Sequence, residues 1–405
     1  MRFLRTIPTR RLLAGLAGLL IVCVGGTAIA VAAAGNGPVP KRRSLAAAVH
    51  RALTGRPVRG LSATITFTNN LIGSSEIQGT DPLLNGGQGR LWVGDGRIRL
   101  EIQSDNGDAQ VVFNRGSFWA YDPAMNVVYR GSLPAGSSSD ARKSATKHEA
   151  IPTIAQIQKD FNGLAKQLSL SGARPTDVGG QPAYRVAVSP KAGGGLIGAV
   201  KLAWDANHGV PLDFAVYARG DSTPVLELQA TGVSYGRVPP SVFNITPPSG
   251  AHVVKLSLPK TTSAAGAKSK TRHSSREITG VRAVRKHLGF TLAAPAALAG
   301  RARHSVSLIG KAGHHGAALF YGKGLGGILV IERPASAGGS ALPSTASSSG
   351  DGPGLTIPTA QINGVTAQQL PTPLGTVLQF TRNGVSYLLV GSVNSSTADA
   401  AARGL

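Results

Sequence analysis

Residues 89–102 read GRLWVGDGRIRLEI, and this stretch decides the fold. Side chains alternate across a β-strand with period two, so Ile98, Leu100 and Ile102 point one way while Arg97, Arg99 and Glu101 point the other. Leu91 and Val93 flank Trp92 in the same rhythm. Gly94-Asp95-Gly96 lies between the two runs, and such residues adopt the backbone angles of a tight turn at low cost. The stretch predicts an antiparallel hairpin with one apolar and one wet face.

The same reading extends outward. Residues 61–68 alternate, and 110–121, QVVFNRGSFWAY, predict a second hairpin around Asn114-Arg115-Gly116. Further strands are expected at 126–130, 183–188, 198–205, 212–218 and 225–233, with a closing segment at 242–254. Residues 44–53, SLAAAVHRAL, predict a short helix with Ser44 as its N-cap. Residues 153–168 place Ile154, Ile157, Phe161, Leu164 and Leu168 at helical spacing, and 133–150 read as a polar loop. Beyond a basic stretch, a second unit is expected to hold a helix near 278–288 and strands near 305–309, 317–321 and 327–332. A Ser/Gly-rich loop at 336–354, a hairpin around Arg382-Asn383-Gly384 and a short terminal helix complete it.

The chain has 405 residues, with 42 Lys and Arg against 19 Asp and Glu, a net charge of +23. Such a chain prefers anionic partners: lipid head groups, acidic wall polymers or nucleic acid. The single Cys23 excludes an internal disulfide framework, a cysteine-based zinc site and a CxxC redox centre. After Arg2, Arg5, Arg10 and Arg11 the sequence runs uncharged from 12 to 34, about 34 Å as a helix, enough to cross a membrane. The arginines hold the N-terminus inside by the positive-inside rule. The length of the run favours an uncleaved anchor; a cleaved signal peptide is the competing reading, because Ala30 to Ala34 resemble a cleavage site. Leu20-Ile21-Val22-Cys23 loosely resembles a lipobox but departs from it at Val22. Each reading places the bulk of the chain outside the cytoplasmic membrane, so nucleic acid is not an expected partner.

The expected division is a cytoplasmic tail at 1–11, an anchor or signal at 12–34, a spacer at 35–43, a first domain at 44–255, a basic linker at 256–275 and an accessory domain at 276–405. Residues 255–286 carry nine basic side chains against the single Glu277. No catalytic constellation, metal site or cofactor is expected. His314-His315 lies in a Gly-flanked turn without nearby Cys, Asp or Glu at ligand spacing, and Asp105 and Asp108 lie in a polar turn. Gly322-Lys323-Gly324-Leu325-Gly326-Gly327 loosely resembles a phosphate loop, but it falls between strands instead of opening a helix, so a hairpin loop is expected. What remains is a twisted apolar sheet face with two helices able to cover it, an arrangement that can enclose a greasy ligand.

Three stretches carry a family resemblance: 87–93 (GQGRLWV), 114–123 (NRGSFWAYDP) and 243–250 (FNITPPSG), with 180–184 and 204–212 between the last two. In order and spacing they resemble the LolA-type lipoprotein carrier superfamily, which includes exported actinobacterial relatives and RseB-like sensors. The resemblance covers about residues 44–255. It implies an unclosed antiparallel half-barrel with lid helices; with the expected N-terminal transmembrane helix before it and a smaller α+β domain after it, the expected fold class is α+β. It further implies a lipid-binding face of Leu91, Val93, Ile98, Leu100, Ile102 and Phe118. Lid residues would be Val49, Leu53, Ile157, Phe161 and Leu164. The implied partners are a lipid or acylated lipoprotein and the cytoplasmic membrane, with a single-pass anti-sigma factor if the chain is a sensor. Gram-negative carriers place Lys-Arg-Pro after LWV, where the arginine latches the lid; this chain has Gly94-Asp95-Gly96 there.

Overall fold

In a computed structural model, the described residues are 37–55, 57–73, 84, 86–103, 107–114, 116–124, 126–132, 152–256, 278–310, 315–337 and 357–405. The expected tail, anchor or signal, the 133–150 loop, almost all of the basic linker and most of the Ser/Gly-rich loop lie outside them. Among the described residues no helix is long and apolar enough to cross a membrane.

The quoted stretch folds as read. Strand β2 (Gly87–Gly94) pairs antiparallel with β3 (Arg97–Ile102). Asp95 and Gly96 make the turn with φ of 51° and 72°, the positive angles that match the twist of a two-residue hairpin. Successive hairpins add β4 (Ala109–Asn114), β5 (Ser117–Asp122) and β6 (Val127–Ser132). On the other side of β2, β1 (Gly60–Asn69) joins it to β12 (Pro224–Tyr235), β11 (Pro211–Ala218), β10 (Ile197–Asp205) and β9 (Gln181–Pro190). Two short strands, β7 (Leu168–Leu170) and β8 (Arg174–Val178), both pair with β9, and β13 (His252–Leu256) runs parallel to β6. These 13 strands form one sheet. A register shift between Thr64 and Ile65 in the β1–β12 pairing marks a bulge, which sharpens the local twist. The sheet curls into a half-barrel whose core joins Leu61, Ile65 and Phe67 of β1 to Leu100, Ile102, Ala183, Ala203 and Leu212.

Among the described residues two helices accompany this sheet, α1 (Leu45–Thr54), capped by the Ser44 side chain, and α2 (Ile154–Leu164), started by a capping box between Thr153 and Gln156. The helix expected over 153–168 is shorter, because Leu168 to Leu170 form β7 and pair with β9, with Leu168 opposite Pro190. Strand pairing there outweighs the helical spacing of Leu168.

The second sheet has 8 strands: β14 (Ala297–Leu298), β15 (Arg301–Ile309), β16 (Gly316–Tyr321), β17 (Ile328–Pro334), β21 (Val385–Gly391), β20 (Gly375–Arg382), β19 (Val365–Thr372) and β18 (Thr359–Ile362), in that order. Helices α3 (Val281–Arg285) and α4 (Ser395–Arg403) contribute Val284, Ala398, Ala401 and Ala402 to a core with Leu319, Ile328, Val330, Leu378 and Leu389. The helix expected near 278–288 is reduced to five residues. Ile278 and Gly280 hydrogen-bond to β15 instead, and Thr279 bridges to Ser307.

Candidate functional site

Cross-strand registers define the apolar face. Leu91 lies opposite Leu100 and Val93 opposite Ile98; Ile98 then faces Phe113 and Leu100 faces Val111; Phe113 faces Phe118 and Val111 faces Ala120. Directly paired residues share a sheet face, so Leu91, Val93, Ile98, Leu100, Ile102 and Phe118 lie on one apolar surface spanning β2 to β5. This surface is not uniform. Leu100 and Ile102, at 4% and 1% exposure, are solid core packed with Leu61, Ile65 and Phe67. Towards β5 the packing loosens, and Ile98, Phe113 and Phe118 are only half-buried. Phe113 is the residue that sequence reading missed, although its place one alternation beyond Val111 carried the signal.

The opposite face of this wing is closed by the chain itself. Arg99 Nη1 donates to the carbonyl oxygen of Val242 at 2.9 Å, and Arg99 also pairs with Glu101. Trp92 lies under two guanidinium groups, those of Arg90 at 5.5 Å and Arg99 at 5.1 Å. The ring of Phe243 sits against Gly94, and Ile245 and Ala251 pack on Val112, Trp119 and Val128. The segment that follows β12 thus straps the wet face, leaving the half-buried apolar face as the candidate site.

Helix α1 lies over the other wing. Leu45, Val49 and Ala52 of α1 pack with Ala48 on Ala173, Tyr184, Val186 and Trp204, a cluster separate from the one that holds Leu100. Arg51 fixes this helix: its Nε donates to the Ala206 carbonyl at 3.0 Å and its Nη2 to Asn207 Oδ1 at 3.3 Å. Tyr184 adds a 2.5 Å hydrogen bond to the Lys41 carbonyl, before the helix begins. Helix α2 packs against α1; in it Ile157 is buried and Phe161 and Leu164 are half-buried. Leu53 is 44% exposed. The structure therefore gathers the strand residues on β2–β5, sets Val49 over β9–β10, and holds α2, with Ile157, Phe161 and Leu164, against α1.

A buried polar group lies on the β9–β12 wing. Arg185 Nη2 meets Asp213 Oδ2 at 2.8 Å, while Asp213 Oδ1 and Glu227 Oε2 have no hydrogen-bond partner among the described residues. Burial, reinforced by the charge of Asp213, pushes the Glu227 carboxyl up to about 7, and burial raises Asp213 in spite of Arg185. Lys201 Nζ sits 3.9 Å from the ring centroid of Tyr217, whose hydroxyl is pushed up to about 12 by burial and by Glu227 and Asp213. Asp205 is fully satisfied: it accepts from Tyr235 Oη at 2.8 Å and from the Asn207 and His208 amides, and so fixes the turn between β10 and β11. Among the described residues no group of three or more His, Cys, Asp or Glu is placed to hold a metal ion.

No family model and no curated protein matches the chain. Solved structures do. The complex of MucA and MucB from Pseudomonas aeruginosa is 14% identical with a TM-score of 0.38, covering 88% of this chain and 96% of that one. MucB in complex with MucA(peri) is 14% identical with a TM-score of 0.37, covering 88% and 97%. A LolA superfamily protein from Nitrosomonas europaea is 11% identical with a TM-score of 0.20, covering 50% of this chain and 99% of that one. Structural neighbours of this chain thus include MucB and LolA-superfamily proteins.

Proposed function

We propose that this protein is an exported, membrane-tethered binding module that holds an acyl chain of a lipid or lipoprotein against the apolar face of β2–β5 and performs no chemistry on it. The observation that carries this reading is the half-burial of Ile98, Phe113 and Phe118 at the edge of an otherwise closed apolar core, on the one face of that wing that the strap after β12 leaves uncovered. An acyl chain laid there gains about 0.8 kcal/mol per buried methylene, enough for tight binding without any charged contact. The uncharged run at 12–34 would keep the module beside its lipid source.

The test uses a fluorescent fatty acid titrated into the purified full chain. Phe118→Glu should weaken binding at least tenfold with an unchanged far-UV spectrum, because the carboxylate must be desolvated against the chain. Undiminished binding by that variant would overturn the assignment of the face. A second reading, regulation of a single-pass anti-sigma factor through lipid occupancy, draws on the second sheet, whose loops contact the half-barrel through Leu374 and Ser392. Capture of a membrane partner by the lipid-free chain, lost on adding lipid, would favour it over simple carriage.

A further inference from the structure

Where the two sheets meet, three loops surround a half-open cleft of about 450 Å³: the β9–β10 loop with Gly193 and Gly195, the β14–β15 turn with Ala299 and Gly300, and the Gly322–Gly327 loop between β16 and β17. Its charged lining among the described residues is Arg219, Arg301 and Lys323, with no acidic side chain. None of the three pairs with a carboxylate among the described residues.

The cleft is shaped to leave cationic groups unanswered. Arg301 is held in place by backbone alone, its Nε donating to the Gly326 carbonyl at 3.0 Å and its Nη1 to the Ala299 carbonyl at 3.1 Å. These bonds engage Nε and Nη1 and fix its orientation, while Nη2 makes no hydrogen bond among the described residues. Its stem runs along Gly322, and the Arg219 guanidinium lies over Gly194. The glycines permit this close approach: a Cβ on Gly326 would collide with the backbone of Gly193 and Gly195, and one on Gly195 with Ser392. The Gly326 amide donates to the Gly193 carbonyl across the junction. Three like charges around one cleft repel one another, and a bound anion reverses that sign.

The geometry points to a binding site for a phosphate ester at this junction, with Arg301 as the oriented fork and Arg219 and Lys323 as the flanking charges. Guanidinium groups match phosphate oxygens through paired charge-assisted hydrogen bonds, and the volume suits a group the size of glycerol phosphate. The Gly322–Gly327 loop, a plain hairpin connection by sequence, supplies Lys323 and the Gly326 carbonyl that aims Arg301. Because the cleft draws on both sheets, the ligand also clamps one against the other. The site is independent of the acyl-binding face, since none of its lining belongs to β2–β5.

The test is calorimetric titration of the full chain in neutral detergent with sn-glycerol 3-phosphate and, separately, with dihexanoyl phosphatidylglycerol below its micelle concentration. Binding of the first alone identifies a free phosphate ester, and binding of the second alone identifies a lipid head group; either supports the site when Lys323→Glu and Arg301→Lys each weaken it roughly tenfold. Lys323 is exposed, so its variant leaves the fold intact. Lys166→Glu makes the same charge change on an exposed lysine outside the cleft and should bind as the wild type does. The proposal is overturned if neither probe binds, if both cleft variants bind as well as the wild type, or if Lys166→Glu loses as much as Lys323→Glu.

Discussion

The backbone amide of Leu196, in the loop before β10, donates to Ser392 just after β21, reaching its Oγ at 2.9 Å and its carbonyl oxygen at 3.2 Å. Ser392 Oγ in turn donates to the Leu374 carbonyl at 2.7 Å, and Leu374 packs with Phe214, Val216 and Leu226 of the half-barrel. The two sheets are therefore joined by directional bonds as well as by apolar contact. Gly195 makes the approach possible, with φ of 60° and no Cβ to strike Ser392. Gly195→Ala should cost about 1–3 kcal/mol and separate the melting of the two sheets in calorimetry. An unchanged thermogram would show that the junction contributes little.

A second expectation concerns pH. Burial pushes the carboxyl of Glu332, in the core of the second sheet, up to about 7 from 4.5, as it does for Glu227 in the first. A carboxyl raised in the folded state favours folding in its protonated form. Its contribution is fully present below about 4.5 and is lost as pH rises to about 7. Denaturant unfolding should show stability falling across that window. Glu332 accepts from the Ala293 amide at 2.9 Å through one oxygen while the other has no partner. Glu332→Gln keeps an acceptor there and should gain up to about 3 kcal/mol at pH 8 and almost nothing at pH 4. Equal effects at both pH values would contradict the assignment.

The apolar face separates core from site. Leu100→Glu should unfold the half-barrel, costing more than about 3 kcal/mol, because a carboxylate would be buried among Leu61, Ile65 and Phe67. Ile98→Glu, at a half-buried position, should keep the fold and lose fatty-acid binding. Circular dichroism with the fluorescent titration checks both, and a folded Leu100 variant with full binding would show the face assigned the wrong way round.

The alternation of Ile98, Leu100 and Ile102 made this wing legible, because a strand with one wet face writes its period into the sequence, and Asp95-Gly96 named the turn. How much of that face is solid core was not legible. It depends on Ala203 and Leu212, about a hundred residues away, which join the cluster only when the sheet curls. Strands β7, β8 and β18 were missed for a related reason: short segments such as Leu168–Leu170 and Thr359–Ile362 show too few alternations to announce themselves, and pairing partners decide them; β19 was missed because its buried face carries Gln369, which breaks the apolar alternation. Helix α1 was legible as a helix, but its anchoring was not. Arg51 reads as a surface cation until the turn at Ala206 and Asn207 is brought beneath it.

That anchoring carries its own expectation. A hinged lid would exchange its amide hydrogens faster on losing its ligand, whereas α1 should keep the same protection with and without lipid. Arg51→Ala, by removing the bonds to Ala206 and Asn207, should cost about 1–2 kcal/mol and raise exchange across residues 45–54. Lipid-dependent exchange in the unsubstituted α1 would restore a moving lid.

Native mass spectrometry of residues 36–405, purified gently from a bacterial host, reads directly whether the half-barrel holds a lipid. The wild type should retain an adduct of lipid mass that is absent from Phe118→Glu. A bare protein that also fails to take up added fatty acid would contradict it, and would leave the half-barrel a closed structural core.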